Sequence, residues 1–179
     1  MKYMKALSLL TCITFFGTAQ AQKNIVKLRP VGVWVQTMKK VDTYYGKYKR
    51  NFTDYNLGIS YERVLAENLS AGLDFDFVFA GDALFVLRPN VNVYLLDSAP
   101  QSLYIGGYFD VGFGANNYWG THIGLGPKVG YQHLFLDNQL AVMGEFGLGF
   151  GMFTDAALDG DGPGAGVNTF FTVGAGYAF

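Results

Sequence analysis

Apolar and polar residues alternate with a period of two along most of the chain. From Val167 to Phe179 every second residue is one of Val167, Thr169, Phe171, Val173, Ala175, Tyr177 and Phe179, and mostly smaller residues stand between them. A period of two is typical of a β-strand with two different faces. Turn signals divide the chain into eight such predicted strands, near 25–36, 53–65, 69–79, 83–96, 102–114, 121–135, 140–153 and 167–179.

The two faces of these strands differ in size as well as in polarity. One face carries Phe, Leu and Val, and the other carries Gly, Asn, Ser and a few charged residues. Only the first strand is irregular, and we expect a bulge near Pro30. A soluble lipocalin-like barrel would turn the bulky face inward, where a narrow lumen has little room for it. The pattern therefore favours the all-β fold of an eight-stranded antiparallel up-and-down transmembrane β-barrel.

The connections between strands alternate in character. Short polar turns at 66–68, 97–101 and 136–139 alternate with connections at 37–52, 80–82, 115–120 and 154–166. Short periplasmic turns and longer external loops are typical of outer-membrane barrels, although 80–82 is short for an external loop.

The N-terminal segment has the pattern of a secretory signal peptide. Lys2 and Lys5 precede an apolar run, and Ala19-Gln20-Ala21 is a small-x-small cleavage site. The run is too short for a membrane-spanning helix. We therefore predict a signal peptide at 1–21 and a barrel domain at 22–179.

The single cysteine, Cys12, lies inside the predicted signal peptide. Lipoprotein processing at Cys12 is an alternative, but Thr11 fits a lipobox poorly. A mature chain without cysteine would have no disulfide, zinc site or thiol nucleophile. Loss of Lys2 and Lys5 leaves 11 basic against 14 acidic residues, which gives no sign of nucleic-acid binding. Charged residues make up only 15% of the chain and aromatic residues 17%, a composition that would give a soluble domain a sticky surface.

The end of the last strand resembles the assembly signal of bacterial outer-membrane proteins. A polar residue, then glycine and two aromatic residues occur as Thr172, Gly174, Tyr177 and Phe179. With the signal peptide and the eight strands, the chain resembles the small eight-stranded outer-membrane barrels, such as the transmembrane domain of outer-membrane protein A and outer-membrane protein X. This resemblance implies export to the cell outer membrane, biogenesis by the barrel-assembly machinery, and contact with outer-membrane lipids and lipopolysaccharide. The members of this family differ in function, so the fold does not define the role of the protein.

Charged residues on the polar face form the first candidate site. An ion path or gate is one interpretation, but an eight-stranded interior is just wide enough for side chains to fill it, and buried charges need partners. We therefore favour a lumen filled by ion pairs. The expected pairs are Asp76 with Arg88, Arg88 with Asp110, Lys128 with Glu145 and Arg29 with Glu62, and Asp74 lies on the same face.

A catalytic site is the second candidate. A lipid A deacylase on this fold uses a His-x-Ser pair with a Glu partner. Here His122 is followed by Ile123 and Gly124, so the nucleophile is missing although Glu145 lies on the next strand. We expect His122 to be a polar residue at the outer rim and the protein not to be an enzyme.

The loops provide the remaining candidates. The first loop has a basic and aromatic patch that could bind lipopolysaccharide phosphates or a surface ligand, although a solvated loop tip is the simpler interpretation. The last loop contains Asp159 and Asp161 but lacks the spaced ligands of a calcium loop, so no metal or cofactor is expected. The patch consists of Lys39, Lys40, Tyr44, Tyr45, Lys47, Tyr48, Lys49 and Arg50.

The sequence thus predicts an integral outer-membrane barrel with a structural or surface-interaction role. A narrow pore or transporter for small solutes or hydrophobic ligands is the first alternative. A lipid-modifying enzyme is the second.

Overall fold

The structure, a computed structural model, describes residues 24–40, 49–80, 82–114, 121–153 and 164–179. The predicted signal peptide and most of the predicted external loops lie outside these ranges. Among the described residues, no helix is long and apolar enough to cross a membrane.

Eight antiparallel strands form one closed barrel in which each strand pairs with its neighbours in the chain. The last strand pairs with the first, and Asn24 and Phe179 exchange two backbone hydrogen bonds of 2.8 Å at this seam. The predicted fold class is confirmed. The strands are β1 (Asn24–Lys40), β2 (Lys49–Ala66), β3 (Leu69–Ala80), β4 (Asp82–Tyr94), β5 (Ser102–Gly114), β6 (Thr121–Phe135), β7 (Leu140–Phe153) and β8 (Gly164–Ala178).

The strand boundaries follow the sequence pattern closely except in the first hairpin and at the start of β8, which begins three residues before the predicted position. In the first hairpin, β1 and β2 stay paired as far as Lys39 and Lys49, beyond the predicted ends of both strands. Backbone pairing does not require apolar side chains, so the alternation underestimates its length. The expected bulge is present, because the register of β1 shifts between Arg29 and Gly32 against β2.

Side-chain alternation separates a polar interior from an apolar exterior. In β3, Phe75 and Phe79 are exposed whereas Asp74 and Asp76 are buried. The same division holds around the described barrel, where most exposed large side chains are Val, Leu, Ile, Phe or Tyr. This arrangement is the reverse of a soluble ligand-binding barrel and matches a lipid-facing one.

The two ends of the barrel differ. We call the end with the connections β2–β3, β4–β5 and β6–β7 the turn end, and the opposite end the loop end. At the turn end, Leu136, Asp137 and Asn138 have positive φ angles of 50°, 54° and 67°. Asp and Asn tolerate this left-handed region better than Leu does.

Candidate functional site

The centre of the lumen contains five alternating charges, which we call the central chain: Asp74, Arg29, Asp76, Arg88 and Asp110. The Arg29 guanidinium donates to Asp74 at 3.1 Å and also to Asp76. Arg88 donates to Asp76 at 2.9 Å and, through its Nε, to Asp110 at 2.6 Å. All five side chains are at most 7% exposed, so the whole chain of charges is withdrawn from water.

Arg29 reaches its partners by crossing over a glycine. It lies on β1, and Gly58 of the intervening strand β2 is its Cα partner and also that of Asp76 on β3. A Cβ at position 58 would meet the Asp76 carboxylate at 2.2 Å and Nη2 of Arg29 at 3.2 Å. The missing side chain of Gly58 therefore makes room for an ion pair between strands that are not neighbours.

Arg88 also packs against two aromatic rings, Phe170 of β8 on the opposite wall and Tyr108 of the neighbouring strand β5. Its guanidinium lies 3.9 Å from the ring centroid of Phe170 and 5.3 Å from that of Tyr108. Such cation–π contacts are stronger where water is excluded. The contact with Phe170 ties β4 to β8 across the lumen.

A second polar cluster, the turn-side cluster, lies nearer the turn end. Lys27 donates to Glu62 at 2.7 Å and to Gln132 at 2.9 Å. Glu62 also accepts hydrogen bonds from Tyr94, at 2.7 Å, and from Ser70. These contacts join β1, β2, β3, β4 and β6, which lie on different sides of the barrel.

The turn-side cluster continues at Glu145, which accepts from Lys128 at 2.6 Å and from Tyr104 at 2.9 Å. The Tyr104 ring lies over Gly130. A Cβ at position 130 would be 2.3 Å from the ring, so this position must be glycine for the tyrosine to fit.

Apolar layers lie beyond the polar ones. Ile25, Leu134, Ala141 and Ala178 cluster at the turn end. Among the described residues, buried side chains from six strands form an apolar layer in the loop-end half. This loop-end layer consists of Trp34, Val78, Leu84, Val86, Tyr108, Phe153 and Phe170.

The expectation that His122 is a polar rim residue is wrong. His122 is fully buried, and its ring packs against Trp34 and Phe153 at centroid distances of 5.2 and 4.6 Å. Its Nε2 lies 3.9 Å from Asp110. The interior wall at Gly124 and Gly151 is open enough to receive the ring, which the sequence pattern alone did not indicate.

Most of the predicted ion pairs form. The structure pairs Asp76 with Arg88, Arg88 with Asp110 and Lys128 with Glu145. Asp74, rather than Asp76, is the Cα partner of Arg88, so the contact with Asp76 is diagonal.

The prediction that Arg29 pairs with Glu62 is wrong. Arg29 pairs with Asp74 and Asp76, and the cation bound to Glu62 is Lys27. Counting neighbours only across adjacent strands missed the route over Gly58. The prediction did not include Lys27. Lys27 lies two residues before Arg29 and so on the same face of the strand, and this spacing was the information available in the sequence.

The residues of the proposed assembly signal divide between the two faces of β8. Thr172 and Gly174 are buried, and Thr172 donates to the carbonyl of Val31 at 3.3 Å. Tyr177 and Phe179 are exposed and stack with a centroid distance of 6.3 Å.

Half of the basic and aromatic patch lies outside the described part of the chain. Lys39, Lys40, Lys49 and Arg50 belong to the loop-end extensions of β1 and β2. The tyrosines of the patch, Tyr44, Tyr45 and Tyr48, and Lys47 lie outside the described residues. Within the described ranges, no group of three or more His, Cys, Asp or Glu side chains is placed to hold a metal ion.

An apolar exterior around a charged, side-chain-filled interior defines the chain as an eight-stranded barrel of the outer-membrane type. The fold is similar to that of a solved structure, the outer membrane protein OprG from Pseudomonas aeruginosa, with a TM-score of 0.50 and 14% sequence identity. The match covers 89% of this chain and 97% of that chain. At this identity the likeness concerns the fold. No family model matches the chain, and no curated protein matches it.

Proposed function

We propose that this chain is an integral protein of the bacterial outer membrane with a closed lumen and a non-catalytic, structural or surface-interaction role. The observation that carries the proposal is that charged side chains, besides their ion pairs, make contacts with uncharged side chains across the lumen. Lys27 of β1 reaches Gln132 of β6, and Arg88 of β4 reaches Phe170 of β8. Side chains that meet across the centre leave solutes little space to pass.

The exterior supports the location. Its apolar band would meet the acyl chains of outer-membrane lipids. Exposed aromatic side chains such as Tyr131 and Tyr177 at the turn end fit the interfacial girdle of such barrels. The proposal places the chain with the small barrels of the outer-membrane protein A and X type, and the loops would face lipopolysaccharide or a surface ligand. Biogenesis would involve the barrel-assembly machinery acting on β8.

Single-channel recording in planar lipid bilayers tests the closed lumen. The purified protein is expected to insert without stable conductance steps, because the central chain and the turn-side cluster block the lumen. Leu87→Ala, on the outward face, is the matched control for Arg88→Ala, on the inward face. Stable steps in the wild-type protein, with a size that changes in Arg88→Ala but not in Leu87→Ala, would contradict a closed lumen.

A narrow pore is the second candidate function, and one observation favours it. Several buried polar atoms in the loop-end half have no hydrogen-bond partner, including Nε1 of Trp34, Nε2 of Gln36, Nδ2 of Asn168 and both ring nitrogens of His122. Buried polar groups without protein partners are commonly satisfied by water. Water beside these atoms would restrict the closed part of the lumen to the central chain and the turn-side cluster. The same recording would detect an open path as conductance.

A further inference from the structure

A shallow apolar hollow, which we call the outer trough, crosses the outward face of β3 to β7. It consists of two adjoining depressions of about 630 and 840 Å³ that share Val91, Gly107 and Pro127. These volumes lie in the range of small-molecule sites in proteins. The surrounding exterior is apolar, so the trough lies within the band assigned above to the bilayer.

The floor of the trough is low because its residues are small. Gly107 is exposed and is the Cα partner of Pro127. A Cβ added at Gly107 would meet only the Gly126 carbonyl oxygen, at 4.0 Å, so the space above the floor is open. Pro127 and Pro89 border this floor, and their fixed φ angles hold its shape.

The walls are hydrocarbon. Ile105, Phe146 and Leu148 line one depression and Phe109 and Leu125 line the other, and all five are more than 40% exposed. An empty hollow would lose dispersion contacts with these walls. The walls present no charged group to the outside, so they suit a saturated chain rather than a polar head group.

We propose that the outer trough binds one acyl chain of a membrane lipid more tightly than the rest of the exterior does. The proposal rests on the membrane location proposed above, because an acyl chain is what the surrounding band would contact. The trough is continuous with that band, so an acyl chain enters it without leaving the bilayer. The small floor residues would contact the chain from beneath, and the hydrocarbon walls would contact it from beside.

Two matched substitutions test the site. Gly107→Phe places a ring in the open space of the trough. Gly144→Phe places the same ring at another glycine of the barrel, on β7, where a Cβ would meet no heavy atom within 4 Å and which does not line the trough. The full chain, folded in detergent, is titrated with palmitoyl-oleoyl phosphatidylglycerol, and bound lipids are counted by native mass spectrometry.

The wild-type protein and Gly144→Phe are expected to retain one lipid at a concentration at least tenfold lower than Gly107→Phe requires. With palmitic acid, the wild-type protein and Gly144→Phe should again retain the ligand at a lower concentration than Gly107→Phe, because the trough recognises hydrocarbon. Equal retention by all three proteins, or a response to the phospholipid alone, would overturn the proposal. A dimer of the wild-type protein that Gly107→Phe abolishes would also overturn it, since a second copy would then be the occupant.

Heat-modifiable migration on SDS gels separates this result from a failure of the proposed function. A wild-type chain that does not migrate as a folded barrel contradicts the membrane location itself. A chain that folds and inserts but retains no lipid preferentially contradicts only the acyl-chain site.

Discussion

At the scale of single residues, the lumen is stabilised by charges that share partners. Asp76 accepts from both Arg29 and Arg88, and Arg88 donates to both Asp76 and Asp110. A buried charge that loses its partner keeps its desolvation penalty without compensation. The network is therefore more sensitive to the loss of one member than to the neutralisation of several together.

Arg88→Met is expected to destabilise the folded barrel by about 3–5 kcal/mol, because it leaves Asp76 and Asp110 buried with fewer cations. Urea unfolding in lipid vesicles measures the change. The triple variant Arg88→Met, Asp76→Asn, Asp110→Asn should recover a large part of the loss. A triple variant less stable than Arg88→Met would show that the carboxylates are not the source of the penalty.

The sequence predicted the inward charges but only some of their partners. The alternation of faces along a strand identifies an inward side chain such as Arg88, and the positions of the turns give its approximate neighbours on the adjacent strands. The alternation does not show how far a long side chain extends. The contact of Arg29 with Asp74 over Gly58 was therefore not predictable from strand pairing alone. The position of His122 was predicted wrongly because the start of β6 was taken as the rim of the barrel. Other strands, such as β1 and β2, extend beyond their predicted ends at the loop end.

At the scale of elements, the hairpins combine favourable strand pairing with a strained turn between β6 and β7. The β6–β7 connection has three consecutive residues with positive φ, and the Gln139 amide closes it with a 3.1 Å bond to the Phe135 carbonyl. A left-handed conformation costs an ordinary L-residue about 1–2 kcal/mol. Leu136, which is exposed and gains little from packing there, is the member least suited to it.

Leu136→Asn is expected to stabilise the barrel by about 0.5–1 kcal/mol, since Asn tolerates the left-handed region. Leu96→Asn is the control, because Leu96 is an equally exposed leucine in the β4–β5 turn without a positive φ. Urea midpoints of both variants give the comparison. An equal gain in Leu96→Asn would attribute the effect to polarity instead of backbone conformation.

At the scale of the whole molecule, the apolar exterior and the filled polar interior constrain each other. The exterior side chains of β4, such as Leu87, lie on the opposite face from Arg88. A one-residue slip of a strand such as β3 would place its charges on the apolar face and its bulky rings in the lumen. The period of two therefore specifies the register and the inside-out polarity together.

A charge introduced on the exterior should lower the free energy of unfolding by an amount that depends on its position along the barrel axis. Leu87→Arg, near mid-height, is expected to cost about 2–4 kcal/mol in lipid vesicles, whereas Leu140→Arg, at the turn end, should cost about 0–1 kcal/mol. The free energy of unfolding in urea measures both. Similar, small costs at both positions would indicate an exterior in water and contradict the membrane location.

The seam between β1 and β8 has a consequence for the order of assembly. Hairpin strands meet after a few residues, but the partners Asn24 and Phe179 are separated by nearly the whole described chain. Closing so long a loop costs about 3 kcal/mol more in chain entropy than closing a short hairpin. We therefore expect seam closure to be a late, rate-limiting kinetic step, before which two unpaired edges remain open to other chains. Once formed, the closed sheet offers no edge for aggregation.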